Sequence, residues 1–289
     1  MPLATPDSSS DKGGAARPPV VSILMPVFNG DRFLAGTLRS IQEQSFRDFE
    51  VILVDDGSTD RTLDIAGHIA SEDPRFRIVR HRKNMGPAAA RNTAWNAAGA
   101  ASHYIMNHDS DDISLPSKLE RLVDFLERER GIDAVGSFAD YIDAEGNSTG
   151  YPYNEWRPRT IRLTFGDLNS MLFSATLVRR PMFSSLMPFR VGYPWCDDYD
   201  FFARALESGY VLANIPAVLH RIRIHASSVG ATRKPEMLRH AREIGESYKR
   251  AVLHSPLDRV VSVMLRKTLG VRIKVRRAVS GHTEGTQAL

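Results

Sequence analysis

The stretch HDSDD, His108 to Asp112, sets three carboxylates and an imidazole within five positions, directly after the apolar run Tyr104-Ile105-Met106. Carboxylates this close repel one another unless positive charge sits among them. Three uses suit such a cluster. It can hold a hard divalent cation through oxygen, it can do acid–base work, or it can be a solvated loop with no chemical role. A second acidic pair, Asp55-Asp56, follows the apolar run Val51 to Val54. Two acidic strand ends favour a shared ligand over separate solvated loops. Magnesium usually reaches a protein through one or two carboxylates plus substrate phosphates, so a metal here implies a phosphate-bearing ligand. A helix opening near Gly86-Pro87 would offer free N–H groups to such a phosphate, with Arg91 a turn or so inside it. A third acidic run, WCDDYDFF, holds Asp197, Asp198 and Asp200. It is either a source of a general base or an acidic helix start that satisfies the macrodipole.

These residues need elements to position them. Val20 to Met25 is a continuous apolar, β-branched run of the kind buried on both faces of a sheet, ended by Pro26. Helical spacing follows in DRFLAGTLRSIQEQ, then a second strand at Val51 to Val54. Ser58 or Thr59 is placed to cap a helix running through Ala70, and Arg77 to Arg80 reads as a third strand. The helix after Gly86-Pro87 stops at Gly99, Tyr104 to Met106 is a fourth strand, and Ser114 and Pro116 open a helix ended by Gly131. This β-α alternation predicts a doubly wound, mostly parallel sheet. PVFNG, DDGSTD, HRKNMG and HDSDD all follow strands, so they line its carboxyl edge, where open α/β sheets bind ligands.

Beyond Ile132 the rhythm changes. DAVGSFADYIDAEGNSTG reads as two strands around a turn, and Tyr151 to Val191 has no clean period. Asp198 to Gly209 is a helix, YVLANIP a strand, and two helical patterns span about Glu236 to Leu253 and Leu257 to Val279. The 289 residues carry a net charge of +4 and one cysteine, Cys196, which excludes an internal disulfide and disfavours a thiolate zinc site. Residues 1–19 lack the apolar core of a signal peptide and read as a disordered leader. A cytoplasmic protein is expected, with no nucleic-acid partner.

Four segments in order, VSILMPVFNG, FEVILVDDGSTD, NMGPAAARN and HDSDDISLPSKLE, resemble the family-two inverting glycosyltransferases, which have the nucleotide-diphospho-sugar transferase fold called GT-A. The resemblance covers roughly 20–230. It implies a catalytic domain over those residues, with a nucleotide-sugar-binding half (20–131) and an acceptor-binding half (132–230), followed by a C-terminal helical extension (231–289). It further implies that Pro26, Phe28 and Asn29 line the nucleotide base pocket. Asp56 would hydrogen-bond the base with Asp55 beside it, and Lys83, Asn84, Gly86 and Arg91 would border the nucleotide and diphosphate. Asp109 and Asp111 would be the acids of the DxD motif, holding Mg or Mn, with Ser110 against the nucleotide and Asp112 supporting the loop. HRIRIHASSVG resembles the family's Arg-x-His-x-x-Ser segment, making His225 a third metal ligand or diphosphate contact, with Ser228 near it. Asp198 falls on the position of the general base, and Asp200 is the alternative. Asp197 stands where the family usually has Glu, and Asn107-His108 replaces an apolar pair, leaving His108 unexplained. Cys196 reads as a passive small residue.

The implied reaction moves a sugar from a nucleotide-diphospho-sugar, UDP by family habit, to a carbohydrate or lipid-linked acceptor in cell-surface polysaccharide, lipopolysaccharide or glycolipid synthesis. A non-catalytic nucleotide-sugar-binding module and a Mg-dependent phosphotransfer protein are the alternatives. MLRKTLGVRIKVRRAV mixes apolar and basic residues, so the last helix is either packed with a solvated basic face or in peripheral contact with the cytoplasmic face of a membrane.

Overall fold

The computed structural model describes residues 19–151 and 154–279, and of Val229, Gly230 and residues 270–279 the backbone alone. Of the expected leader, only Pro19 lies within the described residues.

The first half alternates as expected: β1 (Val21–Val27), α1 (Asp31–Gln42), β2 (Phe49–Asp55), α2 (Thr62–Glu72), β3 (Phe76–Arg80), α3 (Pro87–Ala97), β4 (Tyr104–Asn107). β5 (Ile113–Ser114) and α4 (Lys118–Arg128) complete it. The hairpin β6 (Ala134–Ile142) and β7 (Ser148–Gly150) comes next, followed by α5 (Pro158–Thr164), a 3-10 turn (Phe173–Ala175), β8 (Leu177–Arg179) and α6 (Arg180–Leu186). The chain continues through α7 (Asp197–Glu207), β9 (Leu212–Arg223), α8 (Val229–Thr232), α9 (Lys234–Val252) and α10 (Pro256–Val279).

The strands form one mixed sheet in the order β3-β2-β1-β4-β8-β6-β9-β5, with β7 on β6. β3, β2, β1 and β4 are mutually parallel, whereas β8 runs antiparallel to both β4 and β6. β6 and β9 are parallel again. Side chains alternate across the sheet. Val21, Ile23 and Met25 pack with α1, α2 and α4 on one face, while Leu24 and Ile105 join α3, α6, α7 and α9 on the other. The expected α/β architecture, with helices on both faces of a central sheet, is the one found.

Three local expectations change. Pro26 lies inside β1 because its nitrogen points toward β4, which pairs with β1 only as far as Leu24–Asn107, so no ladder bond is lost. Ser58 and Thr59 do not cap α2, which starts at Thr62. They bind Asn29 instead, the Ser58 Oγ accepting from the Asn29 N–H at 3.0 Å and the Thr59 N–H donating to the Asn29 Oδ1 at 2.9 Å. Ser114 belongs to the short β5, paired with His220, so α4 begins later, at Lys118.

Candidate active site

The loops after β1, β2, β3 and β4 meet at the carboxyl edge of the parallel strands. Backbone approach there is close. A Cβ on Gly57, whose φ is +79°, would stand 2.7 Å from the Lys83 carbonyl carbon, so only glycine lets the β2 and β3 loops touch. Asn29, at φ 49°, ties the β1 loop to the β2 loop through the two bonds described above. Phe28 is left 47% exposed beside them, and Lys83 and Asn84 are exposed on the β3 loop.

The acidic pair after β2 is turned inward. Asp55 has no exposed side-chain surface. Its Oδ1 accepts from the Ser58 N–H at 3.0 Å and its Oδ2 lies 3.5 Å from Arg80, so it holds the turn and does not reach the crevice surface. The Asp56 carboxylate accepts from the N–H groups of Met85 (2.9 Å) and Gly86 (2.8 Å) and bonds His81 Nδ1 at 2.7 Å, while His81 Nε2 meets Thr93 at 2.9 Å. Three of its roughly four acceptor positions are therefore used on the β3–α3 loop. The N–H of Gly86, expected to be free for phosphate, is held by the chain's own carboxylate.

Arg91 is the positive partner of the strand-end acids. It is buried in α3. One guanidinium nitrogen donates to Asp197 Oδ2 at 2.6 Å and the other to Asp109 Oδ1 at 3.1 Å, and its plane lies 5.2 Å from the Phe173 ring. One cation thus joins the β4 end to the start of α7. Removal from water, opposed by Arg91 and reinforced by Asp112, Asp111 and Asp197, raises the Asp109 carboxyl above its ordinary range. Asp111 is raised by burial and by Asp112, and relieved by His225, whose Nε2 lies 3.0 Å from its Oδ2. His225 is fixed by Ser227 at 2.9 Å and by the Phe33 ring at 4.8 Å, and the Ser228 Oγ accepts from the His225 N–H. Two expected metal ligands, Asp111 and His225, are therefore in contact. Among the described residues, no three His, Cys, Asp or Glu side chains stand close enough to hold a metal ion as they are.

Asp112 and His108 both belong to the loop's support. Asp112 accepts from Ser174 Oγ (2.7 Å), His220 Nε2 (2.9 Å) and the Arg223 N–H (3.0 Å). Beneath it the buried Lys118 donates to Ser114 Oγ at 3.1 Å and to His220 Nδ1 at 3.0 Å. Ser114 in turn meets His108 Nε2 at 2.8 Å, and His108 Nδ1 donates to the Asp109 carbonyl at 2.7 Å. Two relays therefore run from one ammonium to the acidic loop. Burial drives both imidazoles well below their usual range and pushes Lys118 down to about 7, with Asp112 opposing that fall. His108, which looked like part of the acid cluster, is a neutral spacer. The ammonium also donates to the Ser174 carbonyl at 2.5 Å, so Lys118→Met should strand that carbonyl and the His220 ring nitrogen. A loss of roughly 2 kcal/mol in urea unfolding is expected, and an unchanged midpoint would contradict the relay.

At α7, Asp197, Asp198 and Asp200 share the first turn but not their surroundings. Asp200 is buried between Arg190 (3.4 Å) and Arg204 (2.8 Å), which removes it as the alternative base. Asp198 is half-buried. Its Oδ1 accepts from the Tyr199 N–H at 2.7 Å, and its Oδ2 bonds to none of the described residues. Removal from water and the neighbouring Asp197 raise its carboxyl to about 7, against the pull of Arg91. Phe201 and Phe202, one turn on, sit in a cluster with Phe173, Phe183 and Phe189 that fixes this helix start. Cys196 stands at the N-cap position of α7 without a capping bond. Its thiol donates to the Met237 carbonyl at 3.4 Å and is pushed up by burial to about 12.

Sequence reasoning missed His81, Lys118, Ser174, His220 and Arg223. Arg223 clamps the loop by donating to the carbonyls of Asp111, Asp143 and Ala144, with the Phe33 ring 4.7 Å away. A lysine on the apolar stripe of Leu119, Leu122, Val123 and Leu126 was the available signal for Lys118.

A mixed α/β sheet whose loop acids gather at one carboxyl edge defines the GT-A glycosyltransferase class. Residues 22–187 match the sequence model of glycosyl transferase family 2, and the chain belongs to that family. It is 27% identical over 275 residues to an uncharacterized glycosyltransferase of Haemophilus influenzae, covering 91% of this chain and 79% of that one. Two solved structures share the fold. Staphylococcus aureus TarS 1-349 in complex with UDP-GlcNAc has a TM-score of 0.65 at 18% identity, covering 85% of this chain and 70% of that one. The mannosyltransferase PcManGT of Pyrobaculum calidifontis, in complex with GDP-Man and Mn2+, has a TM-score of 0.61 at 18% identity, covering 89% and 76%.

Proposed function

We propose that this chain is a divalent-metal-dependent, inverting glycosyltransferase that moves a sugar from a nucleotide-diphospho-sugar to an acceptor hydroxyl. The observation that carries this reading is the Arg91 bridge. Through Asp109 and Asp197 it ties the loop that carries Asp109 and Asp111 to the start of α7, where Asp198 keeps one oxygen unbonded among the described residues, and this supports a shared site.

The donor set fits Mg or Mn. Asp109 and Asp111 offer oxygen and His225 offers nitrogen, and burial together with the neighbouring aspartates raises both carboxyls, so a cation among them would be stabilising. Asp109, Asp111 and His225 would hold the ion, which when bound supplies positive charge to a leaving diphosphate. Asp56 keeps one acceptor position for a base N–H, with Pro26, Phe28 and Asn29 beside it, and Lys83, Asn84, Gly86 and Ser110 border the nucleotide. Asp198 removes the acceptor's proton as its oxygen bonds to the anomeric carbon. The C–O bond to the diphosphate breaks on the opposite face, which inverts the centre. UDP is the first nucleotide to try, with GDP second, since the two solved relatives were captured with UDP-GlcNAc and GDP-Man. The acceptor is a carbohydrate or lipid-linked sugar.

Thermal unfolding with a panel of UDP- and GDP-sugars, with and without Mg or Mn, tests the donor side. A ligand at about 100 times its dissociation constant stabilises by about 2.7 kcal/mol. Metal-dependent stabilisation by at least one donor is expected, and it should be lost in Asp111→Asn. No response to any donor would sink the reading.

A further inference from the structure

We infer that α10, with the crevice between it and α9, is a docking surface for an anionic membrane. α10 carries apolar residues both toward the core and toward solvent. Ser262 and Leu269 are buried, and Val261 and Leu265 pack against the core. On the adjoining outward face, Leu257, Val260 and Met264 recur at i, i+3 and i+7 and stay 68%, 51% and 63% exposed, with Val263 at 40% beside them. A solvated helix face ordinarily carries polar residues there, so this stripe lacks its partner.

Charge identifies that partner. Val263 also lines a crevice of about 280 Å³ whose other walls are Lys249, Arg250, Leu253, Arg259, Ser262 and Arg266. Lys249 and Arg266 are paired with Asp167 at 3.1 and 3.0 Å. Arg250, Arg259 and Lys267 are exposed and have no salt-bridge partner among the described residues. Along Pro256–Val279 the sequence has seven basic residues and one acid, Asp258, which caps the helix start with Ser255 at 2.8 Å. Unpaired cations flanking an exposed apolar stripe match a surface that is apolar beneath and anionic above, which is a bilayer of acidic phospholipids. A second copy fits less well, because a two-fold contact through the stripe would set the basic crevices against each other. No helix among the described residues is long and apolar enough to cross a membrane, and the contact is a peripheral one through the α10 face.

Flotation of the full chain with vesicles tests this directly. Binding to phosphatidylcholine mixed with phosphatidylglycerol is expected, with little to phosphatidylcholine alone, and it should weaken in high salt. Leu257→Ser, Val260→Ser and Met264→Ser should each lower the partition roughly tenfold. Arg250→Gln, Arg259→Gln and Lys267→Gln should each lower it roughly fivefold. Leu257, Val260, Met264, Arg250 and Lys267 are exposed, so thermal unfolding should be unchanged in their variants. Arg259→Gln also loses the bond from its Nε to the Leu253 carbonyl at 3.0 Å and is compared at matched stability, and the Arg250 and Lys267 variants serve if an apolar variant misfolds. Absence of flotation with the acidic vesicles overturns the inference. So does a parent dimer that becomes monomeric in the Ser variants without any lipid binding, which would assign the stripe to a second copy.

Discussion

Asp198→Asn should abolish sugar transfer while leaving donor binding intact, a loss of about 10²–10⁴-fold in kcat. The amide keeps the shape and can still accept the Tyr199 N–H, but it cannot take a proton. The wild-type carboxyl is suited to the task because withdrawal from water and the charge of Asp197 raise it to about 7, where a general base is most effective near neutral pH. The sign follows directly. The base works only when ionised, so kcat should fall as pH drops through about 7. The same shift opposes stability, because the folded chain holds a proton that the unfolded chain releases above about 4. The acid limb is therefore read in the wild type, and Asp198→Asn should flatten the pH dependence of unfolding. Asp200→Asn should behave otherwise: it weakens the contacts to Arg190 and Arg204 and should lower stability while transfer persists. Transfer surviving in Asp198→Asn would move the base elsewhere.

Arg91→Met should lower stability by about 3–5 kcal/mol and remove the donor response. The cost arises because Asp197 is 5% exposed and loses the guanidinium at 2.6 Å, leaving a buried charge without compensation. Asp109 loses its partner in the same step, so its raised carboxyl should shift further upward. Arg91→Lys should recover only part of either property. One ammonium is a point charge, whereas the planar guanidinium reaches Asp197 and Asp109 with separate nitrogens. Urea unfolding and donor thermal shift, measured on the same variants, separate the two effects. A fully active Arg91→Lys would show that charge alone suffices.

The parallel half was legible because strands buried on both faces read as continuous apolar runs and their helices carry apolar spacing. Tyr151 to Val191 was not, because its order comes from Phe173, Phe183 and Phe189 meeting Phe201 and Phe202 across the fold, a pattern with no period. β9 extends past Pro216 to Arg223 because its register on β6 shifts near Phe138, which sequence spacing does not announce. Motif order pointed to Asp109, Asp111, Asp198, Arg91 and His225. What those residues touch was hidden, since Asp112 meets His220 108 positions away and Arg91 meets Asp197 106 away. Asp55 and Asp56 show the same limit: adjacent acids at a strand end look equivalent, yet one is sealed in a turn and the other organises the β3–α3 loop.

Release of nucleoside diphosphate from UDP- and GDP-sugars, with the anomer of the first sugar product read by NMR, is the measurement closest to the proposed chemistry. Release that requires Mg or Mn, stops in Asp198→Asn and gives a β product from an α-linked donor is the expected result. Metal-independent release, or a first product that retains the donor's anomeric configuration, would contradict it.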